Sequence, residues 1–118
     1  MHIEEFLGQP KTLSDWLQTC REQPGQQYWL LFKDDVAGEE IALTTAMYPM
    51  LDDNHLSPQE CDALEQSVYD CGYHYFLSLF QLGDVIANLS MQKTAYSQPE
   101  LLNAVMHYYE RDAFIVLE

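Results

Sequence analysis

The chain has 118 residues, a length typical of one domain, and 47% of them are apolar. Its 19 Asp and Glu residues outnumber 5 Lys and Arg residues, which gives a formal net charge of −14. This charge argues against nucleic acid as a direct partner, because phosphate binding needs a basic surface, and it disfavours anionic lipid for the same reason. The apolar fraction, together with 13% aromatic residues, predicts that residues 1–118 form one packed acidic domain.

The cysteines and the N-terminus predict a cytoplasmic protein. Cys20, Cys61 and Cys71 are an odd number and form no CxxC motif, which is typical of reduced thiols inside the cell. The N-terminus lacks the cationic start and the apolar run of a secretory signal. No window approaches the ~18 apolar residues of a membrane span, so we expect no membrane segment.

The first half of the chain predicts a short helix followed by two strands. Ser14 marks the start of the helix, to within one or two residues, and Pro24 and Gly25 end it. The apolar run YWLLF at residues 28–32 is too short and too apolar for a surface helix, so it predicts a buried strand. Residues 41–48 predict a second strand, and the acidic segment KDDVAGEE between the strands predicts a solvated hairpin connection.

A strong helix signal begins at Ser57. The motif SPQE places a capping serine, a proline at the first helical position and a glutamate at N3, and Gly72 predicts the end of the helix. At about 100° per residue, one side of this helix is expected to face the core. That side carries Cys61, Leu64, Val68 and Cys71, whereas the opposite side carries Asp62, Gln66, Tyr69 and Asp70, with Glu65 on its flank.

The second half of the chain predicts a further strand and two more helices. Residues 73–80 (YHYFLSLF) match both strand and helix spacing, and we predict a strand because glycines bracket the run. Asp84 is expected to cap a helix through about Lys93, and the motif SQPE at residues 97–100 predicts a capping box for the last helix. Residues 114–117 predict a short final strand. Together the elements predict an α+β fold, with about three antiparallel strands and about four helices packed against them.

No motif in the sequence indicates catalysis or a cofactor. The segment KDDVAGEE does not meet the spacing of an EF-hand, and Asp52, Asp53 and His55 lack a fourth metal ligand. His74 or His107 could act as a general base, but neither has a nucleophile in a recognisable motif. No glycine-rich nucleotide loop is present. We therefore predict no enzyme activity, no metal and no cofactor, and keep a small hydrolase as the least favoured alternative.

The distribution of charge is more informative than any motif. No Lys or Arg lies between Lys33 and Lys93, so the acids in this block have no basic neighbour along the chain. Mutual repulsion opposes folding, and such a block serves either to keep the protein soluble or to bind a partner. The candidate partner-binding residues are Asp34, Asp35, Glu39, Glu40, Asp52, Asp53, Asp62, Glu65, Gln66, Tyr69 and Asp70.

An exposed tyrosine among carboxylates favours binding to a basic protein. On the outer side of the capped helix, the Tyr69 ring can supply buried area while its acidic neighbours form charge-assisted bonds to Lys and Arg. A negative surface of this kind speeds encounter with a cationic partner to as much as ~10⁸–10⁹ M⁻¹s⁻¹ at low salt. Self-repulsion disfavours a dimer through the same surface, so we expect a monomer until the partner binds.

The chain also resembles a known group of proteins at many separate positions. These positions are Leu13, Trp16, Leu17, Tyr28, Trp29, Leu30, Asp84, Val85, Ile86, Asn88, Gln92, Leu102, Ala104, Tyr108, Tyr109, Asp112, Ala113 and Phe114. There the chain resembles a small bacterial domain family without assigned chemistry, some of whose members look like immunity proteins of contact-dependent inhibition and related polymorphic toxin systems. The resemblance implies a cytosolic antidote that binds one cognate toxin domain, often a basic nuclease. No site residue is carried over from the family.

The sequence therefore favours a non-catalytic binding protein. Our hypothesis is an immunity protein whose acidic face occludes a basic toxin domain, with Tyr69 as an apolar anchor. The first alternative is a DNA mimic, or another regulator, that occupies the nucleic-acid-binding groove of a host protein. Both readings share the same electrostatics, and the identity of the partner distinguishes them.

Overall fold

The computed structural model describes residues 3–23, 28–50 and 57–117. The strands are β1 (Lys11–Thr12), β2 (Trp29–Lys33), β3 (Ala46–Met50) and β4 (Tyr73–Ser78). The helices are α1 (Leu13–Glu22), α2 (Pro58–Asp70), α3 (Leu79–Gln92) and α4 (Gln98–Arg111). Two short 3₁₀ turns span Ile3–Phe6 and Gly38–Glu40.

The four strands form one antiparallel sheet in the order β1-β3-β2-β4. The predicted α+β fold is confirmed. The sheet of the described residues has one strand more than the three we expected, because the two-residue β1 is too short to leave a pattern in the sequence. The chain enters this edge through Leu7, which bridges to Met50, and through Gly8, whose N–H donates to the Pro49 carbonyl.

Helices cover both faces of the sheet. Leu30 and Phe32 of β2 pack with apolar residues of α1, α3 and α4 on one face. Leu31, between them in the chain, packs with Leu64 and Val68 of α2 on the other. Because successive strand residues point to opposite sides, a strand buried on both faces needs a continuous apolar run. This explains the run at the start of β2, and it places α2 alone among the helices on its face.

The predicted boundary between β4 and α3 is wrong. The strand ends at Ser78 and α3 begins at Leu79, five residues before the predicted cap at Asp84. The Ser78 hydroxyl accepts from the Gln81 N–H, and the Gln81 side chain accepts from the Ser78 N–H, which is a capping box. Asp84 is therefore an exposed residue inside the helix.

The pairing of β4 with β2 shifts register just before β4 ends. Trp29 pairs with Ser78 but Leu31 pairs with Tyr75, so Phe76 and Leu77 both lie opposite the one residue between them on β2. Phe76 and Leu77 are both buried in the core formed with α1, α3 and α4. A bulge of this kind breaks the alternation of faces. The sequence pattern of residues 73–80 was ambiguous for this reason.

Two other predicted strands need correction. Residues 41–45 are not strand, because Thr45 closes a turn in which its hydroxyl accepts from the Ala42 N–H and its own N–H donates to the Ala42 carbonyl. Residues 114–117 form no strand and pair with none of the described strands. The Gln92 side chain instead donates to the Ile115 carbonyl and accepts from the Leu117 N–H. One side-chain amide there satisfies the backbone groups that a neighbouring strand would otherwise bind.

The predicted helix starts are otherwise confirmed. Ser57 and Ser97 both form full capping boxes at α2 and α4. The N-cap of α1 is Thr12, whose hydroxyl accepts from the Asp15 N–H, so the helix starts within the predicted margin of Ser14. The expected stop at residues 24–25 lies outside the described residues.

Gly72 fixes the turn from α2 into β4. Its φ is +80°, and a Cβ added there would lie 3.2 Å from an oxygen of Asp34. Gly83, inside α3, has nothing within 4 Å of the same position.

We expect Gly72→Ala to destabilise the protein by about 1–2 kcal/mol, because a left-handed backbone is strained for residues with a Cβ. Gly83→Ala is expected to stabilise it by about 0.5–1 kcal/mol through helix propensity. Urea unfolding measures the change in the free energy of unfolding for each variant. A Gly72→Ala variant that is more stable than the original protein would contradict the described turn.

Candidate functional site

The outer side of α2 carries the exposed residues that its periodicity predicts. Leu64 and Val68 are buried against the sheet, whereas Tyr69 is 53% exposed. The polar residues of this side are also exposed, namely Asp62, Glu65, Gln66 and Asp70. We call the set Asp62, Glu65, Gln66, Tyr69 and Asp70 the α2 acidic face. Within it the Gln66 amide donates to the Asp70 carboxylate over 3.0 Å.

No basic side chain of the described residues pairs with the α2 acidic face. Lys11 lies over the Trp16 ring and Lys33 over the Tyr48 ring. In residues 3–23, 28–50 and 57–117, Lys93–Glu100 is the only ion pair that joins a Lys or Arg to a carboxylate. The Lys93 ammonium lowers the pKa of the Glu100 carboxyl by hydrogen bonding to it. The carboxylates of α2 are thus free to attract cations from outside the chain.

The acids of the β2–β3 connection do not all join the α2 acidic face. Asp34 lies beside the end of α2, where its N–H donates to the Gly72 carbonyl and its carboxylate pairs with His74. Asp35, also exposed, lines a small pocket together with Lys33.

The 3₁₀ turn that carries Glu39 and Glu40 lies elsewhere. Gly38 in this turn lies next to Tyr109 of α4, whose ring packs on Phe32 and Phe76, on the face of the sheet opposite α2. Both glutamates are exposed there. Two further candidates, Asp52 and Asp53, lie outside the described residues.

A groove opens beside the α2 acidic face. Its volume is about 380 Å³, and it is lined by Trp29 of β2, Met50 of β3, Tyr75 of β4, and Cys61 and Glu65 of α2. Of these five residues, only Glu65 belongs to the binding surface predicted from the sequence. Alternation along β2 places Trp29 on the α2 side of the sheet, where its side chain is 40% exposed.

The relationship to known proteins is limited to a family. A family model described as "Domain of unknown function (DUF7716)" matches residues 2–117. The chain belongs to this family. No curated protein and no solved structure matches the chain. The expected membership of a small domain family without assigned chemistry is therefore confirmed, and nothing in the match links the DUF7716 domain to immunity proteins.

Two titratable groups outside the α2 acidic face, the His74 imidazole and the Cys20 thiol, have structural partners in this DUF7716 domain. His74 pairs with Asp34 and lies 5.4 Å from the Phe32 ring, centre to centre. Cys20 is directed at the Leu79 carbonyl, and burial raises the pKa of its thiol to about 11, so it is a poor nucleophile at neutral pH. In the part of the chain that the structure describes, no three His, Cys, Asp or Glu residues gather as metal ligands.

The helices of the DUF7716 domain do not resemble membrane spans. None of those in the described ranges has both the length and the apolar character needed to cross a bilayer.

Proposed function

We propose that the chain is an immunity-type protein that binds a basic toxin domain through the α2 acidic face and occludes it. One observation carries this proposal: three carboxylates and an exposed tyrosine share one side of α2, and no basic side chain of the described residues pairs with them. Interface hot spots commonly contain a large aromatic residue surrounded by charged groups, and these residues lose their water when the partner binds. The long-range field of the acids would speed encounter with a cationic domain.

The position of Asp70 adds support, because it lowers the stability of the isolated fold. Asp70 is the last residue of α2, and the last turn of this helix contains no basic residue. A carboxylate at a helix C-terminus opposes the negative end of the helix dipole, at a cost of about 0.3–1 kcal/mol. Lysine would be favoured there on stability alone. An acid at this position is better explained by a partner than by folding.

The mechanism requires no chemistry from the chain. Acids steer the basic domain onto α2, the Tyr69 ring becomes buried between the two proteins, and the bound domain loses access to its substrate. An aromatic anchor favours this reading over DNA mimicry, because a phosphate mimic needs spaced charge rather than apolar area.

The test begins with the reading frame next to that of this chain. Its C-terminal domain is produced with and without the chain, and growth and co-purification are measured. We expect the domain alone to arrest growth, and the chain to restore growth and to co-purify with it in a stable complex. Growth arrest that the chain does not relieve would contradict the proposal, as would purification of the chain with a nucleoid or restriction protein in place of the toxin domain.

A further inference from the structure

Two aromatic rings, those of Trp29 and Tyr75, line the groove beside α2, and the Tyr69 ring contacts Tyr75. The Trp29 and Tyr75 ring centres are 6.0 Å apart with their planes at 78°, and the Tyr69 and Tyr75 centres are 6.5 Å apart with their planes at 74°. The Tyr75 ring therefore stands roughly perpendicular to both the Trp29 ring and the Tyr69 ring. Trp29 and Tyr69 are among the most exposed large apolar residues of the described chain, although each contacts Tyr75. Exposed aromatic rings of this kind attract cations through the ring quadrupole.

The described residues give the groove a negative charge. Among them, Glu65 is the one charged residue that lines the groove, and no Lys or Arg does. Asp62 and Tyr69 stand on the same exposed side of α2 as Glu65. A carboxylate beside aromatic rings binds a cation through two interactions, an ion pair and a cation–π contact. Both interactions become stronger as water is displaced.

We infer that this groove binds the guanidinium group of one arginine side chain of the basic partner, an inference that rests on the proposed function. Guanidinium is flat, stacks on aromatic rings, is weakly hydrated and forms two parallel hydrogen bonds to a carboxylate. Trp29 and Tyr75 supply rings, and Glu65 supplies the carboxylate. Met50 and Cys61 provide an apolar wall for the methylene stem of the arginine.

The test uses short peptides, so it does not need the partner. Acetyl-Gly-Arg-Gly-amide is titrated at low ionic strength, alongside the same peptide with lysine or with uncharged citrulline. The two indole N–H resonances report the result. Trp29 lines the groove, while Trp16 is buried with its indole donating to the Met47 carbonyl, so it serves as an internal control.

We expect the arginine peptide to shift the Trp29 resonance saturably, with a Kd on the order of 1 mM, and to leave Trp16 unchanged. The citrulline peptide should bind about tenfold more weakly, and lysine should fall between the two. Glu65→Gln should reduce the preference for arginine over citrulline without abolishing it, because the rings still attract the cation. Glu110→Gln is the matched control, because Glu110 is exposed on α4, on the other face of the sheet.

Three results would overturn the inference. They are no saturable shift at Trp29, equal shifts for arginine and citrulline, and a preference for lysine over arginine. Failure of the groove is separable from failure of the proposed function. A toxin domain that co-purifies with the chain although the peptides do not bind would leave the function standing and the groove rejected. Peptide binding without a toxin partner would do the reverse.

Discussion

Asp62→Lys combined with Asp70→Lys is expected to slow association with the basic partner about 10- to 100-fold at low salt. The reason is electrostatic, because the change reverses the local field of the α2 acidic face, where the proposed partner would bind. The same variant should show a weaker dependence of the association rate on ionic strength, since screening has less attraction to remove. Stopped-flow or surface-based association rates across a salt series measure both effects.

The matched control is Asp84→Lys with Glu110→Lys. It changes the net charge by the same amount, but both residues are exposed on α3 and α4, which pack on the other face of the sheet. Its association rate should fall much less than that of the α2 variant. Equal slowing by both variants would show that total charge governs encounter, and that the α2 acidic face is not the contact surface.

Met47→Ala is expected to destabilise the protein by about 2–5 kcal/mol, a large part of the 5–15 kcal/mol that a domain of this size commonly has. The Met47 side chain is fully buried, and it packs with Leu13, Trp16 and Leu17 of α1 in the larger core. The backbone carbonyl of Met47, which accepts from the Trp16 indole, remains in the variant. The loss therefore reports the cavity and not the hydrogen bond.

Met91→Ala makes the comparison direct, because the same atoms are removed from a side chain that is 81% exposed on α3. Its free energy of unfolding should change by no more than about 0.5 kcal/mol. Urea denaturation followed by Trp emission compares the two variants. Similar midpoints for both would contradict the packing of α1 on β3.

Local signals account for the elements that the sequence predicted correctly. The capping boxes at Ser57 and Ser97 depend on residues only three positions apart, so no tertiary contact is needed to read them. The buried and exposed sides of α2 follow from the helical period alone. The capping box formed by Ser78 and Gln81 is equally local. However, the apolar run from Tyr73 to Phe80 crosses the boundary between β4 and α3, so the change from strand to helix periodicity is not visible in the sequence.

The rest depended on contacts between distant parts of the chain. A two-residue strand such as β1 exists because β3 pairs with it, and residues 114–117 are held by Gln92 rather than by a strand. The candidate site divides in the same way. The acids of α2 could be placed from their spacing, whereas Glu39 and Glu40 proved to lie beside α4, on the other face of the sheet from the α2 acids with which the sequence had grouped them.

The sequence by itself determined an acidic α+β chain with two well-capped helices and one charged helix side, because composition, caps and periodicity act over a few residues. Only the tertiary structure decided that α2 covers its sheet face apart from the other helices, and that Trp29, Tyr75 and Glu65 meet around one groove. These residues come from three elements, and Trp29 of β2 lies far before the other two in the chain. Their meeting depends on strand order and register, which are set by the packing of the whole core.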